Sequence, residues 1–236
     1  MNQLLIVKNI TREGPGMLEQ IVNEAGISTD IIDLHAGDAF PNPLGYKAVV
    51  VLGGPDSAND TTPKMAKELE QIRAALDADI PYLGICLGMQ TLIKAAGGQV
   101  LKAPQKEVGF LGPDGVQSTI ELTDAGKKDP LLAGLGDSLT VFHLHGETVT
   151  LTDNMGLLGT GKFCQNQIVK VAGNAYGIQS HFELTEDMLG EWARNDPDLL
   201  PIGEEALLAS YREIKQAYTN IGQTLLRNFL KIAGLL

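Results

Sequence analysis

The chain has 236 residues, of which 44% are hydrophobic and 20% are charged. These values are typical of a soluble globular protein with a sizeable core. The formal net charge of −11 argues against a nucleic-acid or anionic-membrane partner, because a phosphate-binding surface needs clustered Lys and Arg. Two cysteines, Cys86 and Cys164, do not form a disulfide framework, so a reducing cytoplasm is the expected compartment. No signal peptide or membrane-spanning stretch is predicted.

The first half of the chain alternates strand and helix patterns. Strands are predicted at residues 4–9, 28–34, 47–54 and 80–85 from short, β-branched apolar runs. Helical spacing of apolar residues follows the first, third and fourth of these runs, and Thr62 with Pro63 supplies a helix start. This order predicts an α/β fold with a mostly parallel central sheet and helices on both faces.

The second half changes character. Residues 100–178 contain shorter strands and turns, which predict β-hairpins or extensions of the sheet. After Glu183 the pattern is helical, and an apolar stripe at helical spacing favours packing against the core over a homodimer contact. The stripe consists of Leu207, Tyr211, Ile214, Tyr218, Ile221 and Leu225. No linker-like composition divides the chain, so one domain is predicted over residues 1–236, with a core (1–183) and a helical C-terminal extension packed on it (184–236).

Cys86 lies in the sequence Gly84-Ile85-Cys86-Leu87-Gly88, between a predicted strand and a predicted helix. A sharp strand-to-helix turn that carries a nucleophile needs small neighbours, as the G-x-S-x-G turn of esterases illustrates. The positive end of the following helix would favour the reactive thiolate. A buried structural cysteine is the alternative, and the glycine pattern favours the nucleophile.

A nucleophilic thiol needs a base and a group that orients the base. Residues 176–183 form an apolar strand that runs into His181-Phe182-Glu183. Alternation along a strand would place the imidazole and the carboxylate on the same side. A surface His and Glu at a strand end is the competing interpretation, and this segment alone does not decide between them.

Together these segments resemble the signatures of class I glutamine amidotransferases, the family with a Cys-His-Glu triad. Gly84-x-Cys86-x-Gly88-x-Gln90 matches the nucleophile segment, and residues 176–183 match the His-Glu segment. Residues 52–57 (LGGPDS) resemble the oxyanion-strand turn of the family. The elements follow the family order across most of residues 4–183.

Two further segments refine the resemblance. Glu107-Val108-Gly109 is similar to another short family element, and residues 141–147 most resemble stand-alone members related to the glutaminase domain of GMP synthase. One departure is Phe182, where the family usually has proline between the histidine and the glutamate. This change calls the local geometry of the turn into question more than the triad itself.

The resemblance implies the flavodoxin-like fold of the family and a glutaminase reaction without a cofactor. Cys86 would attack the side-chain amide of glutamine, His181 would carry protons, and Glu183 would orient His181. The resemblance also implies a set of oxyanion and substrate contacts: Gly53, Gly54, Leu87, Gln90, His145 and Gly146. The residues after 183 are too few for a nucleotide-activating synthetase domain, so an ammonia acceptor is expected on a separate synthase subunit.

Two other functions stay open at this stage. A stand-alone γ-glutamyl hydrolase or peptidase would use the same Cys-His-Glu site. A catalytically silent binding module is a weaker alternative, because such a module has no need for Cys86, His181 and Glu183 together.

Two more patterns suggest sites that we do not expect. His143, His145 and Glu147 alternate as metal ligands on a strand would, but the resemblance interprets this region as the rim of a glutamine pocket without a metal. Residues 156–162 nearly match a phosphate loop, yet Phe163 replaces the required hydroxyl and a strand follows instead of a helix. A hairpin is therefore predicted there, with Cys164 as a structural thiol.

Overall fold

The computed structural model describes residues 3–236. Residues 1 and 2 lie outside this range, and they belong to the N-terminal segment for which no signal peptide is predicted. In chain order the strands are β1 Leu4–Lys8, β2 Thr29–Asp33, β3 Ala48–Val51, β4 Tyr82–Ile85, β5 Gln99–Gly109, β6 Thr119–Leu122, β7 Ser138–Thr140, β8 His143–Thr150, β9 Gly156–Gly161, β10 Ile168–Ala172 and β11 Ala175–Ile178. The α-helices are α1 Met17–Glu24, α2 Pro63–Asp77, α3 Leu87–Ala95, α4 Glu186–Asn195 and α5 Glu204–Ile232.

Nine of these strands form one mixed sheet in the order β2-β1-β3-β4-β11-β10-β9-β6-β7. The five strands from β2 to β11 run parallel to one another. From β11 to β7 the neighbours are antiparallel. The predicted α/β fold is confirmed, and the predicted sheet extension corresponds to the antiparallel half.

Helices cover both faces of the sheet, and β1 shows how one strand serves two cores. Leu4 and Ile6 point into an apolar cluster that also contains side chains of α1, α4 and α5. Leu5 and Val7 point into a second cluster with side chains of α2 and α3. This alternation is the period-two geometry of a strand buried on both sides. Helices on both faces are therefore confirmed.

Local signals for helix termini are also confirmed. The Thr62 hydroxyl accepts a hydrogen bond from the backbone N–H of Met65, at 3.2 Å, and Pro63 takes the first helical position of α2. This arrangement is an N-cap, because the side-chain oxygen replaces an acceptor that the helix cannot supply.

The C-terminal stripe packs inward, as the sequence predicts. Leu207, Tyr211, Tyr218 and Leu225 are all at most 2% exposed. A Cβ atom at Gly222 would lie 2.2 Å from the carbonyl oxygen of Phe182, so α5 passes directly behind the segment that carries His181. The division into a core and an extension stays a prediction, as does the homodimer. Within residues 3–236, we find no helix with the length and apolarity that a bilayer crossing requires.

The sequence did not predict that β5 and β8 form a separate two-stranded antiparallel ribbon. In this ribbon Glu107 lies opposite His145 and Gly109 lies opposite His143. The ribbon has a register irregularity between Lys102 and Glu107, as a β-bulge produces. The phosphate-loop interpretation of residues 156–162 is excluded, because β9 pairs antiparallel with β10, and the predicted hairpin is confirmed.

Candidate active site

A cavity of about 410 Å³ opens at the edge of the sheet where β1, β3, β4 and β11 end. The carboxyl ends of parallel strands are the usual location of sites in open α/β sheets, and this volume is typical of a small-molecule pocket. The residues lining the cavity are Arg12, Glu13, Gly54, Pro55, Asp56, Ser57, Cys86, Gln90, Lys106, Leu144, His145, Gly146, Glu147, His181, Asp196, Pro197 and Asp198.

Cys86 occupies a strained turn between β4 and α3. Its φ of 54° and ψ of −109° are rarely adopted by a residue with a side chain. Its backbone N–H donates to the carbonyl of Ile178 at 2.7 Å. Glycines permit this turn, since a Cβ at Gly84 would lie 2.2 Å from the Gly88 carbonyl oxygen and one at Gly88 would lie 2.1 Å from that of Val51. The strained turn thus places the thiol at the start of α3.

His181 and Glu183 follow β11 and form a close pair. The Nδ1 atom of His181 lies 2.6 Å from Oε1 of Glu183, and both side chains are at most 2% exposed. The carboxylate can only accept, so Nδ1 carries the proton and Nε2 is left for proton exchange. The second carboxylate oxygen, Oε2, accepts from the Phe182 backbone N–H at 2.9 Å. Glu183 is thereby fixed at both oxygens.

The surroundings of His181 determine its protonation. Burial opposes the charged ring, but the Glu183 carboxylate and the nearby Cys86 thiol outweigh burial and raise the pKa of His181 well above its usual value. The backbone of His181 is held on both sides, because its N–H donates to Phe142 and its carbonyl accepts from the Tyr218 hydroxyl, each at 2.9 Å. Trp192 packs edge-on against the ring at a centroid distance of 5.1 Å.

The segment after β3 approaches both the thiol and the imidazole. A Cβ atom at Gly53 would lie 3.1 Å from Cε1 of His181 and 3.5 Å from Cβ of Cys86, so only glycine lets this backbone come so close. Among the described residues, the backbone N–H groups of Gly54 and Leu87 have no hydrogen-bond acceptor. Two free donors flanking a thiol suit a developing oxyanion.

The remaining residues implied by the resemblance are also gathered here. The Gln90 amide donates to Oε1 of Gln179 at 3.2 Å, and the Gln179 amide in turn lies 3.8 Å from Sγ of Cys86. His145 and Gly146, on β8, form the opposite wall. The cavity lining therefore brings together Cys86, His181, Gly54, Gln90, His145 and Gly146. The other two predicted contact residues, Gly53 and Leu87, do not line the cavity.

Several charged lining residues were not anticipated from the sequence. Arg12 and Glu13 follow β1, and Asp196 follows α4; the Arg12 guanidinium donates to Asp196 at 2.8 Å. Burial is the largest influence on Glu13 and raises its pKa to about 7, against an opposing effect of His181. The available signal was the loop sequence TREGPG directly after the first parallel strand, where sites concentrate.

The His143, His145 and Glu147 pattern, which the sequence analysis considered as metal ligands but did not expect to bind a metal, does not assemble as a cluster. Glu147 turns away from the histidines and accepts hydrogen bonds from the Ser57 hydroxyl at 2.9 and 3.1 Å. Instead, Glu107 of β5 lies beside His143 and His145. The expectation of no metal in the pocket stays a prediction.

Comparison with known proteins identifies the family. Residues 16–191 match the model of the family described as glutamine amidotransferase class-I. The chain belongs to this family. Among its relatives, the glutamine amidotransferase-like protein YfeJ of Salmonella typhimurium is 35% identical over 179 residues, which cover 73% of this chain and 72% of the relative.

More distant members of the class I amidotransferases support the same assignment. One subunit of the glutamine-hydrolysing GMP synthase of Natronomonas pharaonis is 28% identical, over 72% of this chain and 82% of that subunit. The crystal structure of a glutamine amidotransferase from Thermotoga maritima superposes with a TM-score of 0.86 at 27% identity, covering 98% of both chains. The chain is thus a class I glutamine amidotransferase in fold and family, and the prediction of an enzyme with glutaminase activity is confirmed at that level.

Proposed function

We propose that Cys86 is the nucleophile of this glutaminase and that His181 and Glu183 complete a catalytic triad. The observation that carries the proposal is the 2.6 Å contact between Nδ1 of His181 and Oε1 of Glu183, beside a thiol in a strained turn at a helix N-terminus. A thiol, a base and a group that orients the base are the three parts that nucleophilic catalysis requires.

The reaction follows from these positions. The Cys86 thiolate attacks the side-chain carbonyl carbon of glutamine, and the resulting oxyanion is stabilised by the N–H groups of Gly54 and Leu87. The C–N bond then breaks as His181 gives its proton to the departing ammonia, leaving a γ-glutamyl thioester. Water attacks the thioester, His181 takes the proton, and glutamate and the free thiolate are released.

Electrostatics support this division of roles. The raised pKa of His181, with Glu183 and Cys86 outweighing burial, favours the imidazolium form of this ring in the resting site. Glu183 stabilises the imidazolium and fixes the tautomer of the neutral imidazole. Gln90, Gly146 and His145 line the cavity next to the thiol, so we assign the α-amino and α-carboxylate groups of glutamine to this side, with Gly53 shaping the oxyanion turn.

We further propose that the ammonia is used on a separate synthase polypeptide. A relative at 28% identity is named as one subunit of a GMP synthase, which supports a split arrangement. Amide-¹⁵N glutamine, supplied to this chain together with an ammonia-dependent synthase from its source, should deliver ¹⁵N to the product of that synthase. If added unlabelled ammonia dilutes the ¹⁵N label in the product as fully as it would dilute ammonia free in solution, direct transfer between the two chains would be contradicted.

Covalent labelling tests the site directly. A glutamine-mimicking diazo-ketone should add one adduct to the wild type, and intact-mass analysis should find none in Cys86→Ala. Cys164→Ala is the matched control, because Cys164 is also buried and burial raises its pKa; this variant should label like the wild type. Labelling of Cys86→Ala would refute the assigned nucleophile. Turnover of γ-glutamyl peptides without turnover of glutamine would support the γ-glutamyl hydrolase, and no labelling with or without a synthase would support a silent module.

A further inference from the structure

The β5–β8 ribbon buries a carboxylate and two imidazoles next to one another. Glu107, His143 and His145 are 3%, 1% and 4% exposed. His143 and His145 share one face of β8 because they are two residues apart, and the ribbon register sets Glu107 directly opposite His145. Burying three such groups costs free energy unless each finds a partner.

Within the described part of the chain, one atom of each of these three groups has no hydrogen-bond partner. Oε2 of Glu107 lies 3.3 Å from Nε2 of His145, yet neither atom makes a hydrogen bond, and Nδ1 of His143 is equally without one. The Nδ1 atom of His145 lies 3.1 Å from the carbonyl oxygen of Glu147, which can only accept. In a neutral His145 ring the proton therefore lies on Nδ1, and Nε2 directs its lone pair toward the carboxylate of Glu107.

We propose that Glu107, His143 and His145 bind a first-row divalent transition-metal ion, with Zn²⁺ as the expected occupant. A cation beside Oε2 of Glu107 and Nε2 of His145 would satisfy both atoms, and Nε2 of His143 also faces the Glu107 carboxylate. Two imidazoles with one carboxylate are an established ligand set for zinc. The His145 contact to the Glu147 carbonyl matches the outer hydrogen bond that orients most metal-bound histidines.

The spacing of the donor atoms fits an ion after a small closure. Donors on a tetrahedral zinc with bonds of about 2.1 Å lie about 3.4 Å apart. Oε2 of Glu107 lies 3.3 Å from Nε2 of His145, which is close to this value, and the other carboxylate oxygen, Oε1, lies 3.7 Å from Nε2 of His143. No two of the three donor atoms are more than 4.8 Å apart, so an approach of about 1.4 Å or less completes the site.

A second cavity provides access and a further ligand. It has a volume of about 110 Å³, and both Glu107 and His143 line it, together with Asp114 and Lys162 nearer the surface. A site of this polarity and size holds water, which can occupy the fourth coordination position. This cavity is separate from the glutamine pocket, whose wall includes His145 but neither Glu107 nor His143.

The position of the ion assigns it a structural role. Leu144, between the two histidines, places its carbonyl oxygen 3.7 Å from Sγ of Cys86. An ion bound at His143 and His145 would fix the backbone on both sides of this contact. The ion would thus rigidify the ribbon that carries this contact.

Metal analysis in a Cys86→Ala background tests the proposal independently of glutaminase activity, because this substitution removes the thiol that could otherwise bind zinc with His181. After saturation with Zn²⁺ and dialysis, we expect one zinc per chain by elemental analysis. Glu107→Gln and His143→Gln should each reduce the retained zinc at least tenfold. The matched control His35→Gln alters an exposed histidine and should retain the full equivalent.

Co²⁺ provides a second readout. The parent should give the intense visible absorption of a four- or five-coordinate ion, and this absorption should be lost in Glu107→Gln while far-UV circular dichroism stays unchanged. Retention of zinc by Glu107→Gln would overturn the site. So would a parent that binds no zinc and shows a doubly protonated His145 by ¹⁵N NMR at neutral pH, because a proton would then replace the ion.

Discussion

Glu13 should make the protein less stable as the pH rises from 5 to 8. Its side chain is 6% exposed, and burial raises its pKa from 4.5 to about 7. The unfolded chain, with the ordinary pKa, therefore binds fewer protons than the folded protein between these two values. Unfolding then releases a proton, and the free energy of unfolding falls with increasing pH.

The magnitude follows from the two pKa values. A shift of about 2.5 pKa units corresponds to about 3.4 kcal/mol across the full titration, at about 1.36 kcal/mol per unit. Between pH 5 and 8, where most of the folded-state titration occurs, the loss is about 2.5 kcal/mol. Below the unfolded pKa the contribution is fully present, and above pH 7 it is lost.

Urea unfolding at pH 5 and pH 8 measures this contribution when the wild type is compared with Glu13→Gln. The glutamine side chain of the variant cannot ionise. From pH 5 to pH 8 the free energy of unfolding should therefore decrease more in the wild type than in Glu13→Gln, by about 2.5 kcal/mol. Glu19→Gln, which removes an exposed carboxylate from α1, should follow the wild type. Parallel pH dependence of wild type and Glu13→Gln would refute the reasoning, since Glu13 would then titrate alike in both states.

Two further substitutions test the site and its scaffold. Glu183→Gln should lower the glutaminase kcat by about 10²–10⁴-fold, because the imidazolium of His181 loses the carboxylate at 2.6 Å that stabilises it; a fall of less than tenfold in steady-state ammonia release would contradict that role. Gly88→Ala should destabilise the fold by about 1–3 kcal/mol, since its Cβ would lie 2.1 Å from the Val51 carbonyl oxygen. Gly156→Ala, with no atom within 4 Å of its Cβ, is the matched control and should unfold within about 0.5 kcal/mol of the wild type in urea.

The sequence predicts the parallel half of the fold well because each of its signals is local. Buried parallel strands such as β3 are continuous β-branched runs, and the cap at Thr62 depends on residues three positions apart. The Cys86 turn is also local, because Gly84 and Gly88 belong to the same five-residue segment. Helices on both faces then follow from the strand–helix alternation.

What the sequence could not predict depends on pairing between distant segments. Glu107 meets His143 and His145 only because β5 and β8 pair in one register. A shift of one residue would place Glu107 on the face opposite the two histidines. Alternation on β8 alone suggested Glu147 as the third ligand, but Ser57, 90 residues away, binds that carboxylate instead. Glu13 was missed for the same reason, because its burial arises from packing between the loop after β1 and the loop after β3.

Phe182, where family resemblance suggests proline, makes a contribution that proline cannot. Its backbone N–H donates to Oε2 of Glu183 at 2.9 Å, and its ring is 1% exposed. Phe182→Ala keeps the N–H and loses the ring, whereas Phe182→Pro loses both. The comparison between these two variants therefore isolates the hydrogen bond.

We expect Phe182→Ala to cost about 3–5 kcal/mol of the free energy of unfolding through the cavity it leaves. Phe182→Pro should cost more, because a hydrogen bond to a buried carboxylate is worth about 1.5–3 kcal/mol, while proline returns up to about 1 kcal/mol by restricting the unfolded chain. The free energy of unfolding in urea should therefore be lower for Phe182→Pro than for Phe182→Ala by at least roughly 0.5 kcal/mol, which is the smallest loss from the hydrogen bond minus the largest gain from proline. Diazo-ketone labelling of Cys86 should also be slower in the proline variant, since a carboxylate held at one oxygen orients His181 less strictly. Equal stability and equal labelling rates would show that Glu183 is positioned by His181 alone.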